Sequence, residues 1–151
     1  MGWCQISRRV DPDIRRKSEL AAENFLVAAL REEGYPEDRI ERVGHLKLGF
    51  GIRAHHVIDE MTGEVHVKRF EVKSRARGQP VRLTTNEWCK AQQFSDTYWL
   101  SVIRVSLGES SELVRIKNPA ACLDHAKREI VAGRFLEIPA EAVMAVGWCE
   151  S

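Results

Sequence analysis

Two alternating runs joined by a turn limit the fold of this chain more than any other feature. From Val43 to Ile58, Leu46, Leu48, Phe50, Ile52 and Ala54 share one parity, while His45, Lys47, Gly49, Gly51, Arg53 and His55 share the other. Such alternation predicts a long strand with one buried face. Val65 to Ser74 reads as a second strand. Met61-Thr62-Gly63-Glu64 between them reads as a hairpin turn, with Gly63 taking the positive φ. Gly49 and Gly51 are poor strand residues unless something approaches the backbone closely.

The second strand carries Phe70-Glu71-Val72-Lys73. Glu71 and Lys73 are two apart, so both side chains leave the same face. A carboxylate beside an ammonium can hold a divalent cation and a phosphate together, as a metal-dependent phosphodiesterase requires. Taken alone, the pair reads first as a surface ion pair that contributes little to stability. If the turn centres on Met61 and Thr62, paired residue numbers sum to about 123 to 125. Gly51 then lies opposite or near Lys73, with Glu71 diagonal to it, and the three share a face. Directly paired Cβ atoms are roughly 4.5–5.5 Å apart.

The rest of the chain supplies helices and further strands. Asp11-Pro12 starts a helix that runs to about Glu33 and stops at Gly34, with Leu20, Leu26, Val27 and Leu30 as its apolar stripe. Glu23 borders that stripe, either in water or aimed inward at a site. Thr84 and Glu87 form a capping box for a second helix carrying Trp88 and Ala91. Tyr98 to Ser106 and Leu113 to Lys117 read as antiparallel strands. Ala120 to Ala132 reads as a third helix, Arg134 to Ile138 as a short strand, and Pro139 to Trp148 as a helical or extended tail. Trp3, Cys4 and Ile6 add a short strand or pack as an arm. The order predicts an α/β fold around a mixed sheet.

Composition narrows the function classes. A chain of 151 residues, 44% hydrophobic and 30% charged, fits a single domain with a real core. Its net charge of +1 implies no polyanion partner. Between Val67 and Arg82, however, Lys68, Arg69, Lys73, Arg75, Arg77 and Arg82 face one acid, Glu71, a local excess of +5. That run is either a phosphate footprint or an edge strand protected by charge. Cys4, Cys89, Cys122 and Cys149 form no Cys-x-x-Cys, which argues against a zinc ribbon. Neither a secretory signal nor a membrane span is legible, so a reducing, cytoplasmic setting is expected. His55 and His56 leave opposite faces of a strand and make a poor joint metal site. Trp88 and Trp99 read as core, and Cys89 lacks an activating partner.

Leu48-Gly49-Phe50-Gly51-Ile52-Arg53, Thr62-Gly63-Glu64, Phe70-Glu71-Val72-Lys73-Ser74-Arg75, Val81 to Trp88, Tyr98-Trp99-Leu100 and Leu113 to Pro119 follow one another in an order and spacing that resemble the domain family named after the C-terminal region of the plant protein NO VEIN. The resemblance covers about residues 17–120 and leaves 121–151 as an extension. Such domains often accompany Swi/Snf-type helicases or bacterial restriction and defence systems. The family in turn resembles the PD-(D/E)xK nucleases. That implies a restriction-endonuclease-like mixed sheet flanked by helices, with Mg²⁺, or Mn²⁺, as cofactor. The implied site falls at Glu23, position 51, Glu71 and Lys73, the acids Glu23 and Glu71 holding metal. Arg53 and Arg75 flank it and are expected to meet phosphate, with Lys68, Arg69, Arg77 and Arg82 extending the surface.

The chain departs from the implied pattern at one position. Where an aspartate is expected, it has Gly51. Asp59 lies eight residues along the strand, about 26 Å away, and cannot replace it. Loss of one carboxylate weakens a Mg²⁺ site severely. The expectation is therefore a nuclease-fold domain that acts on or binds DNA, inactive or impaired as it stands. Its expected partners are DNA and a helicase or other defence proteins, with no membrane and with a homodimer allowed. The alternatives are a nucleic-acid-binding module without chemistry, and a protein-interaction domain using Trp3, Trp148 and the tail.

Overall fold

The first helix, α1 (Pro12–Glu32), runs from Pro at its first position to Gly34, which takes φ 103° just past its end. The computed structural model describes residues 12–105, 111–130 and 135–147. Asp11, Trp3, Cys4, Trp148 and Cys149, to which the sequence assigned a cap, an arm, thiols and an interaction tail, lie outside the described residues.

Five strands form the main sheet in the order β1 (Ile40–Arg42), β2 (Ile52–Asp59), β3 (Glu64–Ala76), β5 (Tyr98–Val105) and β6 (Glu112–Lys117). The hairpin β2–β3 is antiparallel, and Gly63 takes φ 71° in its turn, as expected. β5 lies parallel to β3, and β6 returns antiparallel to β5. Between β3 and β5 the chain crosses through β4 (Val81–Thr84) and α2 (Thr85–Phe94). β4 joins a second sheet, ordered β4, β8 (Phe135–Ile138), β7 (Arg128–Ile130). Two short helices, α3 (Pro119–Leu123) and α4 (Ala140–Val146), complete the described elements. The result is the expected α/β fold, a mixed sheet flanked by helices.

The sheet separates two cores. On one face Leu26, Val27 and Leu30 of α1 pack on Ile52, Ala54 and Phe70. On the other, Leu100, Val102, Val114 and Ile116 meet Trp88 of α2, Val81 and Leu83 of β4, Leu123, Ile138 and Val143. Alternation along β3 thus sends Phe70 towards α1 and Glu71 and Lys73 towards α2. Among the described residues no helix is long and apolar enough to cross a membrane.

Several expectations are corrected. The run from Val43 is not one strand: a 3-10 turn at Gly44–Leu46 and a left-handed Lys47 (φ 52°) interrupt it, and β2 begins only at Ile52. Leu46 of the expected strand and Leu20 of the expected helix stripe both stand 53% exposed. Ahead of the capped helix, Val81–Thr84 forms a strand, β4, that the sequence reading lacks. The third helix is five residues long because the chain turns into β7 rather than continuing to Ala132. The short strand expected at Arg134 to Ile138 is β8, and the segment after it is helical as α4 and packs into the core, where Ile138 is fully buried beside Leu83 and Val143. Glu137, 4% exposed, ties β8 to Arg82 of β4 at 3.0 Å and also binds Arg128 of β7.

If β8 belongs to the same cooperative unit as the main sheet, Ile138→Ala should lower the unfolding free energy by about 2–5 kcal/mol in urea titration. A loss below about 1 kcal/mol would mean that the C-terminal segment folds as a separate annex.

Candidate active site

Glu71 and Lys73 sit beneath the start of α2, where the capping box places a third charged group. Thr84 Oγ1 accepts from Glu87 N at 3.1 Å, and Thr84 N donates to Glu87 Oε1 at 2.7 Å. The reciprocal cap holds Glu87 inward, and both its oxygens accept from Lys73 Nζ at 3.0 Å. Lys73 Nζ also stands 3.3 Å from Glu71 Oε1. The Glu71 and Glu87 side chains are only 13% and 12% exposed.

This cluster sets its own protonation. Burial raises Glu71 well above the usual carboxylate range; Lys73 opposes the shift, and the charge and hydrogen bond of Glu87 add to it. Glu87 also suffers burial, but Lys73, Glu71 and the Thr84 amide hold it below the ordinary value. Lys73 loses hydration, yet the two carboxyls keep its pKa raised. The two carboxyls thus shift in opposite directions, Glu71 up and Glu87 down, around one lysine whose own pKa is raised. Tyr98, beneath the cluster, donates from its hydroxyl to Gly49 O at 2.7 Å; burial pushes the phenol up, with Glu71 and Glu87 adding to it.

Position 51 lies just before β2, hydrogen-bonded to the strand that carries the cluster. Paired residues in β2–β3 sum to 122, as in Ile52↔Phe70 and Arg53↔Arg69, rather than the expected 123 to 125. The pairing ends at Ile52↔Phe70, so Gly51 lies beyond the last pair and opposite neither Lys73 nor Glu71. Gly51 N donates to Phe70 O at 2.9 Å, and Val43 N donates to Gly51 O at 2.8 Å. A Cβ added at Gly51 would stand 3.5 Å from Glu23 Oε1 and 3.9 Å from Phe70 O, which is ordinary contact. Gly51 is also outside the positive-φ residues. Gly49 differs: it has φ 84°, and a Cβ there would meet Lys90 Cγ at 2.5 Å. The fold requires a glycine at 49 and not at 51.

Glu23 reaches position 51 from the α1 side and is half held by Arg42, whose Nη1 donates to it at 3.3 Å. The implied residues therefore form two adjoining groups. Glu71 and Lys73 lie with Glu87 on one face, and Glu23 and position 51 lie at the sheet edge where β2 begins. Sequence reading missed Glu87 as a site residue because its capping role accounted for it, and missed Arg42 because nothing in its neighbourhood marks it.

Mg²⁺ is the group the resemblance implies, and the residues as they stand do not fit it. Among the described residues no three Asp, Glu, His or Cys side chains are placed to hold a metal ion. Position 51 offers no side-chain oxygen, and Glu71 is buried against Lys73 with its pKa pushed up by that burial.

The basic residues do not form one surface. Arg53 pairs with Glu41 at 2.7 Å and lies across from Arg69 in the hairpin. Arg69 donates to Thr97 Oγ1 at 2.8 Å and lies 4.0 Å over the Phe94 ring. Lys68 lies over Trp99 on the α1 face. Arg77 is 3.5 Å from Glu112, and Arg82 is held by Glu137. Arg75 has no ion pair among the described residues. Its pKa is lowered by burial, with Arg82 and Arg15 of α1 adding repulsion.

A carboxyl raised in the folded state binds more protons there than in the unfolded chain. Glu71 therefore subtracts stability as pH climbs from the ordinary 4.5 through its folded value. Glu71→Gln, which keeps the neutral shape, should remove that decline, so that its urea midpoint gains on the wild type as pH rises from about 5 to 8. A parallel decline in both proteins would assign the titration elsewhere.

Neither the comparison with curated proteins nor that with solved structures returns a match. The family described as Protein NO VEIN, C-terminal matches residues 18–116, from the exposed half of α1 to the end of β6. That span holds Glu23, position 51, Glu71, Lys73 and Glu87, and it is two thirds of the chain: the protein belongs to the NO VEIN C-terminal family.

Proposed function

We propose that the chain is a nuclease-fold domain of the PD-(D/E)xK kind that binds DNA and is impaired in cleavage as it stands. The observation that carries this reading is the position of Gly51. It is hydrogen-bonded to the residue before Glu71, with its absent Cβ 3.5 Å from Glu23 Oε1. An acidic side chain there would start beside Glu23, and neither backbone strain nor steric crowding excludes it. A glycine at a position that does not need one, between Glu23 and the strand that carries Glu71 and Lys73, fits a site that has lost a ligand. Lys73 is the group suited to a phosphate, as a buried cation whose partners are already arranged around it. The helicase and defence partners that the family resemblance implies fit a domain that engages DNA.

A second reading, a DNA-binding module without chemistry, is favoured by Lys73 being held at 3.0 Å by both Glu87 oxygens. In that state it serves the fold.

The test compares the wild-type chain with Gly51→Asp on single- and double-stranded DNA, with Mg²⁺ or Mn²⁺. The wild type should bind DNA in a salt-dependent way and not cut. Gly51→Asp should cut only with metal, and adding Lys73→Ala to it should abolish the gain. Binding by both proteins with no cleavage by either would favour the second reading. Cleavage by the wild type would refute the impairment.

A further inference from the structure

The face of the main sheet that meets α1 holds polar atoms that its packing leaves unmet. Trp99 of β5 lies between its register partners, Phe70 of β3 and Lys117 of β6. Its indole Nε1 is buried and has no acceptor among the described residues. Two residues along the same face, the fully buried Ser101 leaves its Oγ equally without a partner. Buried polar atoms nearly always find a partner, because an unmet one keeps its full desolvation cost. Two of them at neighbouring inward positions of one strand require a group that the chain does not supply.

A cavity of about 100 Å³ lies against Trp99, its other walls being Glu33, Lys68, Phe70 and Arg115. Arg115 is also the register partner of Ser101. The volume decides what can enter. Pockets for drug-sized ligands run to roughly 300–1,000 Å³, and a cavity of roughly 150 Å³ holds one benzene. This one has room for a group of a few heavy atoms.

The charges decide its chemistry. Arg115 and Glu33 answer each other: both terminal nitrogens of the guanidinium donate to the carboxylate, Nη1 to Oε2 at 3.1 Å. Lys68 is the remainder. It is half-buried, its Nζ stands 5.0 Å over the Trp99 ring, and it has no carboxylate partner among the described residues. Its register partner in β2, Ala54, is too short to cover it. Two cations against one acid leave the walls with a single positive charge. What they leave open are donors, the Lys68 ammonium and the Trp99 N–H. A carboxylate meets both demands: it is small, flat and monovalent, with one oxygen for each donor. A phosphate dianion would exceed the positive charge and stand against Glu33.

We infer that this cavity is a binding site for a carboxylate group, held between Lys68 Nζ and Trp99 Nε1 beside the Glu33–Arg115 pair. The site lies on the α1 face, opposite the face that carries Glu71 and Lys73, and does not depend on the DNA-binding reading. The carboxylate belongs either to a free small acid or to an acidic side chain of a peptide, which present the same two oxygens.

The experiment follows the Trp99 indole resonance in proton–nitrogen correlation spectra of the isotope-labelled full chain. Trp99→Phe identifies that resonance by its loss, and sequential assignment of the wild type identifies it should the variant not fold. The probes are sodium acetate and a capped tripeptide with one central aspartate, each set against sodium chloride at matched ionic strength. A ligand of four heavy atoms binds with a Kd no tighter than roughly 40 μM, so the acetate titration climbs from there. Acetate should move the resonance along a saturating curve. Lys68→Gln should raise the Kd about tenfold, the loss of one charge-assisted hydrogen bond. Saturation by acetate and not by the peptide assigns the site to a free acid; saturation by the peptide assigns it to an acidic residue of a partner. A resonance that neither probe moves, or that chloride moves as far, overturns the proposal and leaves the cavity to water. An unchanged Kd in Lys68→Gln overturns it as well.

Discussion

The ion cluster of Glu71, Lys73 and Glu87 holds together parts of the chain that are distant in sequence. Glu71 and Lys73 belong to β3, Glu87 to α2, and the cluster closes only because the Thr84 cap turns Glu87 inward. Beside it lie Leu100 and Val102, the partners of Glu71 and Lys73 in β5. Charges in such surroundings are costly unless each is matched, and removing one partner leaves the others buried and unpaired. The cluster is therefore strong evidence of constraint and weak evidence of stability. A purely apolar layer at these positions would join β3 to α2 at least as well.

That imbalance supports a functional history for the site. A fold gains little from a lysine placed between two carboxyls when burial opposes the charge of each. The same groups make sense around a ligand that carries its own charges. The second sheet adds to the argument from outside the matched span. β8 and α4 close the core against β4, the strand leading into the cap, so the segment beyond residue 116 supports the position of Glu87 without contributing to the cluster.

Much of this was legible from residues alone. The hairpin, its Gly63 turn, the Thr84–Glu87 box, the β5–β6 pair and the α/β class all rest on local chemistry: period-two alternation, positive φ and a reciprocal cap. What failed was decided by tertiary context. The register differed because a shift in pairing between Val57 and Asp59 displaces the hairpin from a simple two-residue turn. β4 was obscure because it is four residues long and is a strand only through its pairing with β8. The inward aim of Glu87 was hidden because a capping residue is normally accounted for by its own helix. The split of the basic run followed from strand parity, which sends Lys68 to one face and Arg69 and Lys73 to the other.

The two glycines show how structure refines what a sequence can only flag. In an alternating run Gly49 and Gly51 look equivalent, and each suggests a close approach to the backbone. Only Gly49 has one: its left-handed backbone and the packed Lys90 side chain exclude any Cβ, and Tyr98 holds its carbonyl from below. That fixed point sets the direction of the chain as it enters β2, and therefore where position 51 falls. Gly51, two residues on, has room for a side chain and a backbone that accepts one. Its glycine answers to no demand of packing or dihedral angle, so the fold itself leaves the position open to a side chain.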